Sequence, residues 1–575
     1  MIKLFRFLKP YTAAVIGVFV FVALQSLGDL YLPTLMSRII NEGVMNGDTS
    51  KILHIGGIML LVAGGGVICS VIASFLSANT SVGLGTIIRS KVFKRVESYS
   101  LHEFDKLGTA TLITRTTNDI NQIQMVTVMI MRMMISAPIM AAGGIYMAMR
   151  EDKPLTWVLA VAIPLLAGVV AFIASKMMPL FKLVQVKIDR INLVLREKLT
   201  GIRVIRAFNT VEKEKKRFDE ANVDLTGNYI KVNRIMAFMM PSIMLIMNFT
   251  SLSILWFGGI RISEGSMDLG ALAAFTQYAM QIMFSMLMLA MMFIMVPRAQ
   301  AAAVRINEVL DTIPEIRDTE ETKDSFTGKG YVEFKDVTFS YHGAEEPALR
   351  NITFAAKPGE VTAIIGSTGS GKSTLVNLIP RFYDIDSGSI LIDGIDVRDM
   401  TQEELRGKIG FVPQKAILFS GTIAENIKFG SKEATDEEIR HAAEIAQAAD
   451  FIESMDGSYG HEIAQGGTNV SGGQKQRLSI ARALVRKPEI YVFDDSFSAL
   501  DFKTDSKLRA ALKDETQEST VIIVAQRVGT VMDANRIIVL DEGKVVGIGT
   551  HKELLQTCDV YREIVSSQLS EEEIA

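Results

Sequence analysis

Cysteine is nearly absent from this sequence. Its 575 residues include only two cysteines, Cys69 and Cys558, which lie in halves of very different composition. A structural disulfide between them is therefore not expected. Reduced thiols are normal in the cytosol, so the shortage of cysteine favours a chain whose soluble parts face that compartment.

The sequence also has no large excess of either charge. Lysine and arginine number 60 and the acidic residues 64, which gives a formal net charge of −4. Because nucleic-acid binding draws on a basic surplus, no nucleic-acid partner is expected. The chain contains no internal repeat and no low-complexity tract. Its length predicts several domains.

Apolar residues, by contrast, are abundant in the first half. The whole chain is 49% hydrophobic with a mean hydropathy of +0.27. Several apolar runs are long enough to cross a hydrocarbon core as helices of about 20 residues. The first run follows Lys3, Arg6 and Lys9, but it is too long for a signal-peptide core and has no clear cleavage site, so it is expected to be retained. The predicted spans lie near 12–34, 52–78, 126–149, 155–177, 235–259 and 269–296.

The connections between these runs alternate in length and charge. The long loops at 79–125 and 178–234 are rich in Lys and Arg, whereas the short loops carry few. The positive-inside rule then places both long loops, the N-terminus and the second half in the cytosol. Helical spacing in these loops predicts that the spans continue beyond the membrane. His102–Thr109 and Ala207–Glu212 are candidate contact points with the second half, or else parts of solvated helix faces.

Methionine is concentrated in the spans, with 27 of the 30 before residue 300. Its flexible, polarizable side chain suits a surface that rearranges around varied apolar ligands, although ordinary helix packing is an alternative. Arg132 lies near one end of its run, where snorkelling is the simplest interpretation. Other polar residues within the runs could line a pathway or join helices by hydrogen bonds. These residues are Asn248, Thr250, Gln277, Tyr278 and Gln281.

The composition changes after the last apolar run. Residues 310–329 are polar and predict a linker between a membrane domain at 1–309 and a soluble domain at 330–575. In the soluble part, short β-prone runs alternate with helical patterns, which is typical of an α/β domain. The predicted strands include Val332–Phe334, Val361–Ile365, Ile490–Phe493, Val521–Val524 and Ile537–Leu540.

A phosphate-binding loop follows the strand predicted at Val361–Ile365. Glycines allow backbone N–H groups to turn towards an anion, and the following helix adds its positive N-terminal dipole. Lys372 supplies a cation for the outer phosphates, and the Ser373 hydroxyl can bind Mg²⁺. The eight residues match the full G-x-x-x-x-G-K-[ST] pattern: Gly366, Ser367, Thr368, Gly369, Ser370, Gly371, Lys372 and Ser373.

Two further stretches fit the same chemistry. The apolar strand that ends at Asp494 is typical of the carboxylate that accompanies a phosphate loop and Mg²⁺. The segment Val470–Arg477 places a serine and two glycines at the start of a helix, where free N–H groups can bind a phosphate. Taken alone, the serine would indicate only a helix cap. The residues concerned at the helix start are Ser471, Gly472, Gly473 and Gln474.

Together these motifs resemble those of ABC exporter half-transporters, in which six membrane spans are fused to one nucleotide-binding domain, and the likeness covers nearly the whole chain. The resemblance implies an all-α six-helix transmembrane domain fused to a cytosolic α/β ABC ATPase domain in the plasma membrane. It implies that Tyr341 stacks on adenine, that Thr374 binds ATP together with the loop residues, and that Gln414 contacts the nucleotide and joins Ser373 and Asp494 around Mg²⁺. It also implies that Ser498–Asp501 is the D-loop and that the long cytosolic loops couple the two domains.

The chain departs from the family pattern where the family carries its catalytic groups. Asp495 stands where a glutamate normally polarises water, and Gln526 stands in place of the switch histidine. A misplaced base can lose on the order of 100-fold in rate, and Gln cannot carry the proton or charge of His. The segment Ala464–Gly467 also departs from the usual Gly-Glu-x-Gly. This departure bears on the cross-talk expected from this loop and not on nucleotide binding.

In this family each nucleotide lies between the Walker A loop of one subunit and the signature of the other. The pattern therefore predicts a heterodimer with a second half-transporter, in which this chain's Walker A forms a degenerate site and its signature completes the partner's competent site. Expected cargoes are hydrophobic small molecules, lipids or peptides, in contact with membrane lipid. The absence of a peptidase domain before the first span weakens a leader-processing peptide exporter. The alternatives are a slow homodimer and an ATP-gated regulatory or structural subunit.

Overall fold

The computed structural model describes residues 1–318 and 328–569. These residues form two compact units. The first comprises Met1–Glu97 and Ala110–Thr312, and the second comprises Ser98–Thr109 and the chain from Ile313 onward. Of the predicted linker 310–329, residues 319–327 lie outside the described part of the chain.

The first ten α-helices include all of the long ones. Three shorter segments separate some of them: 3₁₀ turns at Arg6–Tyr11 and Pro154–Thr156, and a π-helical turn at Ile39–Val44. The α-helices are α1 (Ile2–Phe5), α2 (Thr12–Arg38), α3 (Thr49–Glu97), α4 (Leu101–Leu107), α5 (Thr109–Thr116), α6 (Asn118–Glu151), α7 (Trp157–Thr200), α8 (Ile202–Ala207), α9 (Val211–Ser263) and α10 (Leu269–Asp311).

In the described residues, six helical segments are long and apolar enough to cross a membrane. They contain the six predicted runs, whose backbone groups must be hydrogen-bonded within the helix in lipid. They extend beyond the runs because the flanking polar residues keep helical periodicity. The third span joins α5 and α6, from Thr109 to Glu151. The expectation of an all-α six-helix domain is confirmed.

Polar side chains inside this helical unit are mostly bound to its own backbone or to each other. Tyr278 on α10 is fully buried, and its hydroxyl bonds the Thr34 hydroxyl at 2.7 Å and donates to the Leu30 carbonyl at 3.0 Å. The Thr250 hydroxyl donates to Ile246 O of its own helix at 2.7 Å. For Tyr278, the structure therefore favours a role in joining helices.

The second unit contains the strands. The strands are β1 (Val332–Phe339), β2 (Leu349–Ala356), β3 (Val361–Gly366), β4 (Ser387–Ile392), β5 (Ile395–Asp396), β6 (Ile409–Val412), β7 (Gly421–Thr422), β8 (Glu462–Ile463), β9 (Ile490–Asp494), β10 (Thr520–Val524), β11 (Arg536–Asp541) and β12 (Lys544–Gly549). Each predicted strand lies within one of these. A four-stranded sheet has the order β2-β1-β4-β5, a six-stranded sheet has the order β12-β11-β3-β10-β9-β6, and β7 pairs with β8.

Helices cover the six-stranded sheet, whose central strands β9 and β10 are buried along their full length. This layered arrangement confirms the expected α/β domain. The remaining α-helices are α11 (Lys372–Leu378), α12 (Gln402–Gly407), α13 (Ile423–Lys428), α14 (Asp436–Ile445), α15 (Ala449–Ser454), α16 (Gly472–Leu484), α17 (Phe502–Glu515), α18 (Val528–Val531), α19 (His551–Thr557) and α20 (Asp559–Ser566).

The short helix α4 belongs to this second unit, although its sequence lies in the first half. Ser100 caps it, and the Glu103 carboxylate accepts the Ser100 N–H at 2.8 Å and the Glu315 N–H at 3.1 Å. The rings of His102 and His342 lie 4.7 Å apart. The first of the two predicted contact segments, His102–Thr109, therefore overlaps a helix that contacts the part of the chain after Ile313.

A buried ion pair in the helical unit gives the first prediction. Arg305 donates from Nε and Nη2 to the Asp119 carboxylate, at 2.7 and 2.5 Å, and Asp119 is fully buried. Arg305→Met leaves a buried charge without its partner, so we expect a loss of about 3–5 kcal/mol in stability. The apparent unfolding temperature of the detergent-purified protein measures it.

Lys3→Met is the matched control, because the Lys3–Asp311 pair is exposed on both sides. Its removal should cost at most about 1 kcal/mol. Equal shifts for the two variants would contradict the structural role assigned to Asp119.

Candidate nucleotide-binding site

The site is built where parallel strands end side by side. In the six-stranded sheet, Val524 at the end of β10 pairs with Ile364 of β3 on one side and with Asp494 of β9 on the other. Because these strands run in parallel, the residues that follow them emerge at one edge of the sheet. This register brings together the phosphate loop, the two acidic residues and Gln526.

The phosphate loop connects β3 to α11. Gly369 and Gly371 have φ angles of 85° and 97°, in the left-handed region that favours glycine. A Cβ at Gly369 would meet nothing within 4 Å, whereas one at Gly366 would lie 2.1 Å from the Leu540 carbonyl oxygen. The loop is thus packed tightly at its base and open at its turn, as a cradle for an anion requires.

Lys372 occupies the first position of α11. Its ammonium group donates to the carbonyl oxygens of Gly366 and Ser367, at 2.9 and 2.7 Å. Burial lowers the pKa of Lys372, while the charges of Asp495 and Asp494 act in the opposite direction. The lysine charge is therefore held at the loop and close to both carboxylates.

Ser373 and Asp494 meet across the sheet edge. The Ser373 hydroxyl donates to Asp494 Oδ1 at 3.0 Å, and burial raises the pKa of the Asp494 carboxyl. A hydroxyl and a carboxylate are oxygen ligands of the kind that Mg²⁺ takes together with substrate phosphates. These two residues would hold the ion, which would neutralise charge that develops on the transferred phosphate.

Asp495 follows Asp494 and is surrounded by amide groups. Its Oδ2 accepts from Gln526 Nε2 at 3.0 Å and from Gln414 Nε2 at 3.4 Å. Burial raises the pKa of Asp495, and the hydrogen bond from Gln414 works against that rise. The backbone of Asp495 is left-handed, with φ of 47°, a conformation that Asp tolerates better than most residues. Gln414 thus contacts Asp495, while the described hydrogen bonds do not join it to Ser373 or Asp494.

Tyr341 lies beside the start of α11. Its hydroxyl bonds the Thr374 hydroxyl at 2.9 Å, and its ring packs edge-on against Phe339 and Tyr383, with centroids 5.0 and 5.5 Å away. The side chain is 40% exposed. A fixed aromatic ring with an open face can stack on a base, as the family resemblance implies.

The signature segment forms a second helix start. Ser471 caps α16, because its hydroxyl accepts the Gln474 N–H at 3.3 Å and its own N–H donates to Gln474 Oε1 at 2.8 Å. Gly472 and Gly473 occupy the first turn of the helix, where backbone N–H groups are free for an anion. Within the altered preceding segment, Gly466 O accepts from Lys475 Nζ at 2.9 Å.

Sequence reasoning missed the contacts of Ser498 and Arg527. Arg527 Nη2 donates to the Ser498 carbonyl at 3.1 Å, and the Ser498 hydroxyl donates to Asp495 O at 2.9 Å. Ser498, in the segment that the resemblance assigns to the D-loop, is thereby tied to the end of β10 and to Asp495. Only the position of Arg527 next to Gln526 could have indicated this link.

The donor set fits a nucleoside triphosphate with Mg²⁺. In addition to the open turn at Gly369, the buried Ser370 hydroxyl has no hydrogen-bond partner among the described residues. The loop N–H groups and Lys372 would bind phosphate oxygens, Ser373 and Asp494 would hold the ion, and Tyr341 would contact the base.

Comparisons with known proteins agree with this site and fold. Residues 15–286 match the family model described as the ABC transporter transmembrane region, and residues 349–498 match the one described as ABC transporter. A solved structure of a bacterial Atm1-family ABC exporter with ATP bound is similar in fold, with a TM-score of 0.81 and 25% identity. It covers 97% of this chain and 98% of its own.

Sequence relatives cover most of the chain as well. An uncharacterised ABC transporter ATP-binding protein of Mycobacterium tuberculosis is 43% identical over 98% of this chain and 97% of its own length. An ATP-dependent lipid A-core flippase of Syntrophus aciditrophicus is 31% identical over 92% and 87%. A fatty acid ABC transporter ATP-binding/permease protein of Mycobacterium bovis is 33% identical over 84% and 76%.

The fold and the site define a multi-pass membrane protein whose cytosolic domain is an ATPase of the type that binds ATP with Mg²⁺. The chain belongs to the ABC transporter family. Within that family it is an exporter half-transporter, with one transmembrane domain fused to one nucleotide-binding domain, and it serves ATP-driven transport.

Lys372 gives the prediction for this site. Lys372→Met removes the loop's only side-chain ammonium, and since hydrogen bonds to charged groups contribute about 1.5–3 kcal/mol, ATP affinity should fall at least about tenfold. Binding of a fluorescent ATP analogue to the purified protein measures this. Lys487→Met is the control, because Lys487 pairs with Glu438 at an exposed position; an equal loss in both would point to general damage.

Proposed function

We propose that this chain is one subunit of a heterodimeric exporter of hydrophobic or amphipathic compounds. In this proposal its own Walker A loop forms a degenerate site that holds ATP, and its signature completes a competent site on the partner. Asp495 and Gln526 are the residues that distinguish the two sites.

The hydrogen bonds to Asp495 are the observation that carries the proposal. A residue that polarises the attacking water must hold a basic oxygen close to that water, whereas Asp495 Oδ2 accepts from the amides of Gln526 and Gln414, which hold the carboxylate in place and lower its basicity. Neither amide can take up a proton or carry charge. The Asp side chain is also one methylene shorter than Glu, and a displacement of about 1 Å can cost on the order of 100-fold in rate.

The signature end, in contrast, retains every group that it needs. Ser471, Gly472, Gly473 and Gln474 open a regular capped helix whose first-turn N–H groups can bind a phosphate. A homodimer would place Asp495 in both of its sites and leave transport without a fast ATPase. A partner with a glutamate and a histidine at the two positions resolves this conflict.

The cargo class rests on the helical unit and on the named relatives. The cavity between its helices is lined mainly by apolar residues and methionine, which suits apolar and amphipathic molecules. Relatives named as a lipid A-core flippase and a fatty acid transporter make lipids the first alternative within this class. The alternative to an exporter is an ATP-gated regulatory subunit, and a degenerate ATP site would suit that role as well as it suits an exporter.

ATPase rates test the division of labour. The lone chain should hydrolyse ATP at least about 100-fold more slowly than the assembled pair, because its own site lacks an effective base. Fast hydrolysis by the lone chain would overturn the proposal. Cargo-stimulated hydrolysis and accumulation of an amphipathic dye in inside-out vesicles separate an exporter from a regulatory subunit.

Substitutions in the pair test each half-site separately. Ser471→Ala in this chain should lower the rate at least about tenfold, because it acts on the competent site, whereas Asp495→Asn should change it less than about twofold. Thr435→Ala controls for the lost helix cap, since Thr435 caps α14 in the same way. The reverse ranking of Ser471→Ala and Asp495→Asn would contradict the assignment.

The double variant Asp495→Glu with Gln526→His should restore a base and a proton carrier to the degenerate site. We expect hydrolysis by the lone chain to rise at least about tenfold, a threshold below the factor of about 10²–10⁴ that general-base catalysis contributes. Gln526→Asn, which keeps an amide, is the matched control and should produce no rise. A double variant as slow as the parent chain would show that other residues cause the degeneracy.

A further inference from the structure

A cavity of about 680 Å³ lies within the helical unit, between α2, α6 and α10. Its wall is mostly apolar, and six of its lining residues are methionines. It also contains two side chains of opposite charge, Asp29 from α2 and Arg132 from α6. No sequence pattern had marked Asp29 as a site residue, and the position of Arg132 near one end of its run had predicted a side chain that snorkels to the membrane surface.

Neither charge takes part in an ion pair with another described residue. The ion pairs of the helical unit join other side chains, such as Asp119 with Arg305 and Asp152 with Arg261. Charged residues within membrane spans are costly, and they occur where they face a cavity or bind a partner. Asp29 accepts a hydrogen bond from the side chain of Gln25, which also lines the cavity, but neither charge is neutralised by an opposite charge among the described residues.

The surroundings of Asp29 determine which kind of group it would bind. Gln281 on α10 donates from Nε2 to the Asp29 carbonyl at 3.1 Å, so its side chain is held beside Asp29. Gln281 Oε1 is buried and has no hydrogen-bond partner among the described residues. Because that amide oxygen is buried, it is not open to a ligand, and the acceptor that lines this part of the cavity is Asp29. A carboxylate matches a cation that donates protons.

Arg132 lies at a different height in the cavity. Leu30, next to Asp29, packs at Gly143 of α6, where a Cβ would lie 2.4 Å from Leu30 Cδ1. Arg132 precedes Gly143 by 11 residues, which corresponds to about 16 Å along the helix axis. Met131 packs lower on α2, with Val18 and Val22. The cavity is therefore negative at one end, positive at the other and apolar between.

We propose that Asp29 forms a cation subsite for the cargo, and that the cavity binds amphipathic organic cations. The positive group of the ligand binds at Asp29, its apolar body packs on the methionines, and Arg132 disfavours the reversed orientation. This inference rests on the proposed export of amphipathic compounds and specifies the charge of the cargo.

Ligand binding without nucleotide tests the subsite independently of ATP hydrolysis. The full-length chain, in the assembly that it forms, is placed in lipid nanodiscs and titrated by fluorescence polarisation with rhodamine 6G, an amphipathic cation. Nile red serves as an uncharged probe and 1-anilinonaphthalene-8-sulfonate as an anionic one. Because no ATP is present, this result does not depend on whether the nucleotide sites are asymmetric.

Asp29→Asn should weaken rhodamine 6G binding at least about tenfold while leaving Nile red within about twofold, since only the charge of the subsite changes. Arg132→Gln is the control within the same cavity and should not weaken rhodamine 6G. Glu42→Gln removes an exposed carboxylate from the same candidate span and should have no effect. Unchanged affinity of Asp29→Asn for the ATP analogue shows that the variant is folded.

Four outcomes with the cationic and uncharged probes would overturn the proposal. These are no binding of rhodamine 6G by the parent protein, equal binding by Asp29→Asn, an equal loss of Nile red in that variant, and an equal loss of rhodamine 6G in Arg132→Gln. Tighter binding of the anionic probe, lost in Arg132→Gln and retained in Asp29→Asn, would also overturn it and assign the cavity to anions.

Discussion

The parallel pairing of β3, β10 and β9 is the constraint on which the nucleotide site depends. It places Gly366, Asp494 and Gln526 at one sheet edge, although more than 100 residues separate the first from the others in sequence. The strands are buried along their length, so a slip by one residue would exchange the side chains that pack against the helices on the two faces of the sheet. The packing that stabilises the sheet therefore also fixes the distances between Ser373, Asp494 and Asp495.

The same constraint explains why two substitutions act together. Gln526 follows β10 directly, and the register brings its amide to Asp495 at the end of β9. A histidine at this position could exchange a proton with a neighbouring group, whereas an amide can only donate N–H or accept at oxygen. The Asp495 carboxylate and the Gln526 amide are therefore hydrogen-bond partners, and this contact is the one on which the proposed degenerate site depends.

The sequence could predict the elements of the nucleotide site but not all of their contacts. The phosphate loop is recognisable because its glycines and Lys372 are consecutive, and six long apolar runs predicted six spans. The contact of Gln414 with Asp495 depends on a strand register that no local pattern contains. Asp29 was missed because one acid in an apolar run has meaning only when the neighbouring helices are known.

Hydrogen-bond satisfaction separates the two kinds of polar residue inside the helical unit. Tyr278 and Thr250 have all of their hydroxyl contacts within the protein, and their cost of burial is thereby offset. Asp29 accepts a hydrogen bond from the Gln25 side chain, but neither Asp29 nor Arg132 has an ion-pair partner among the described residues, and both line one cavity. Because a charge in an apolar medium is costly unless an opposite charge compensates it, the retention of these two calls for a binding partner. That argument favours a ligand with a charge over a purely apolar one.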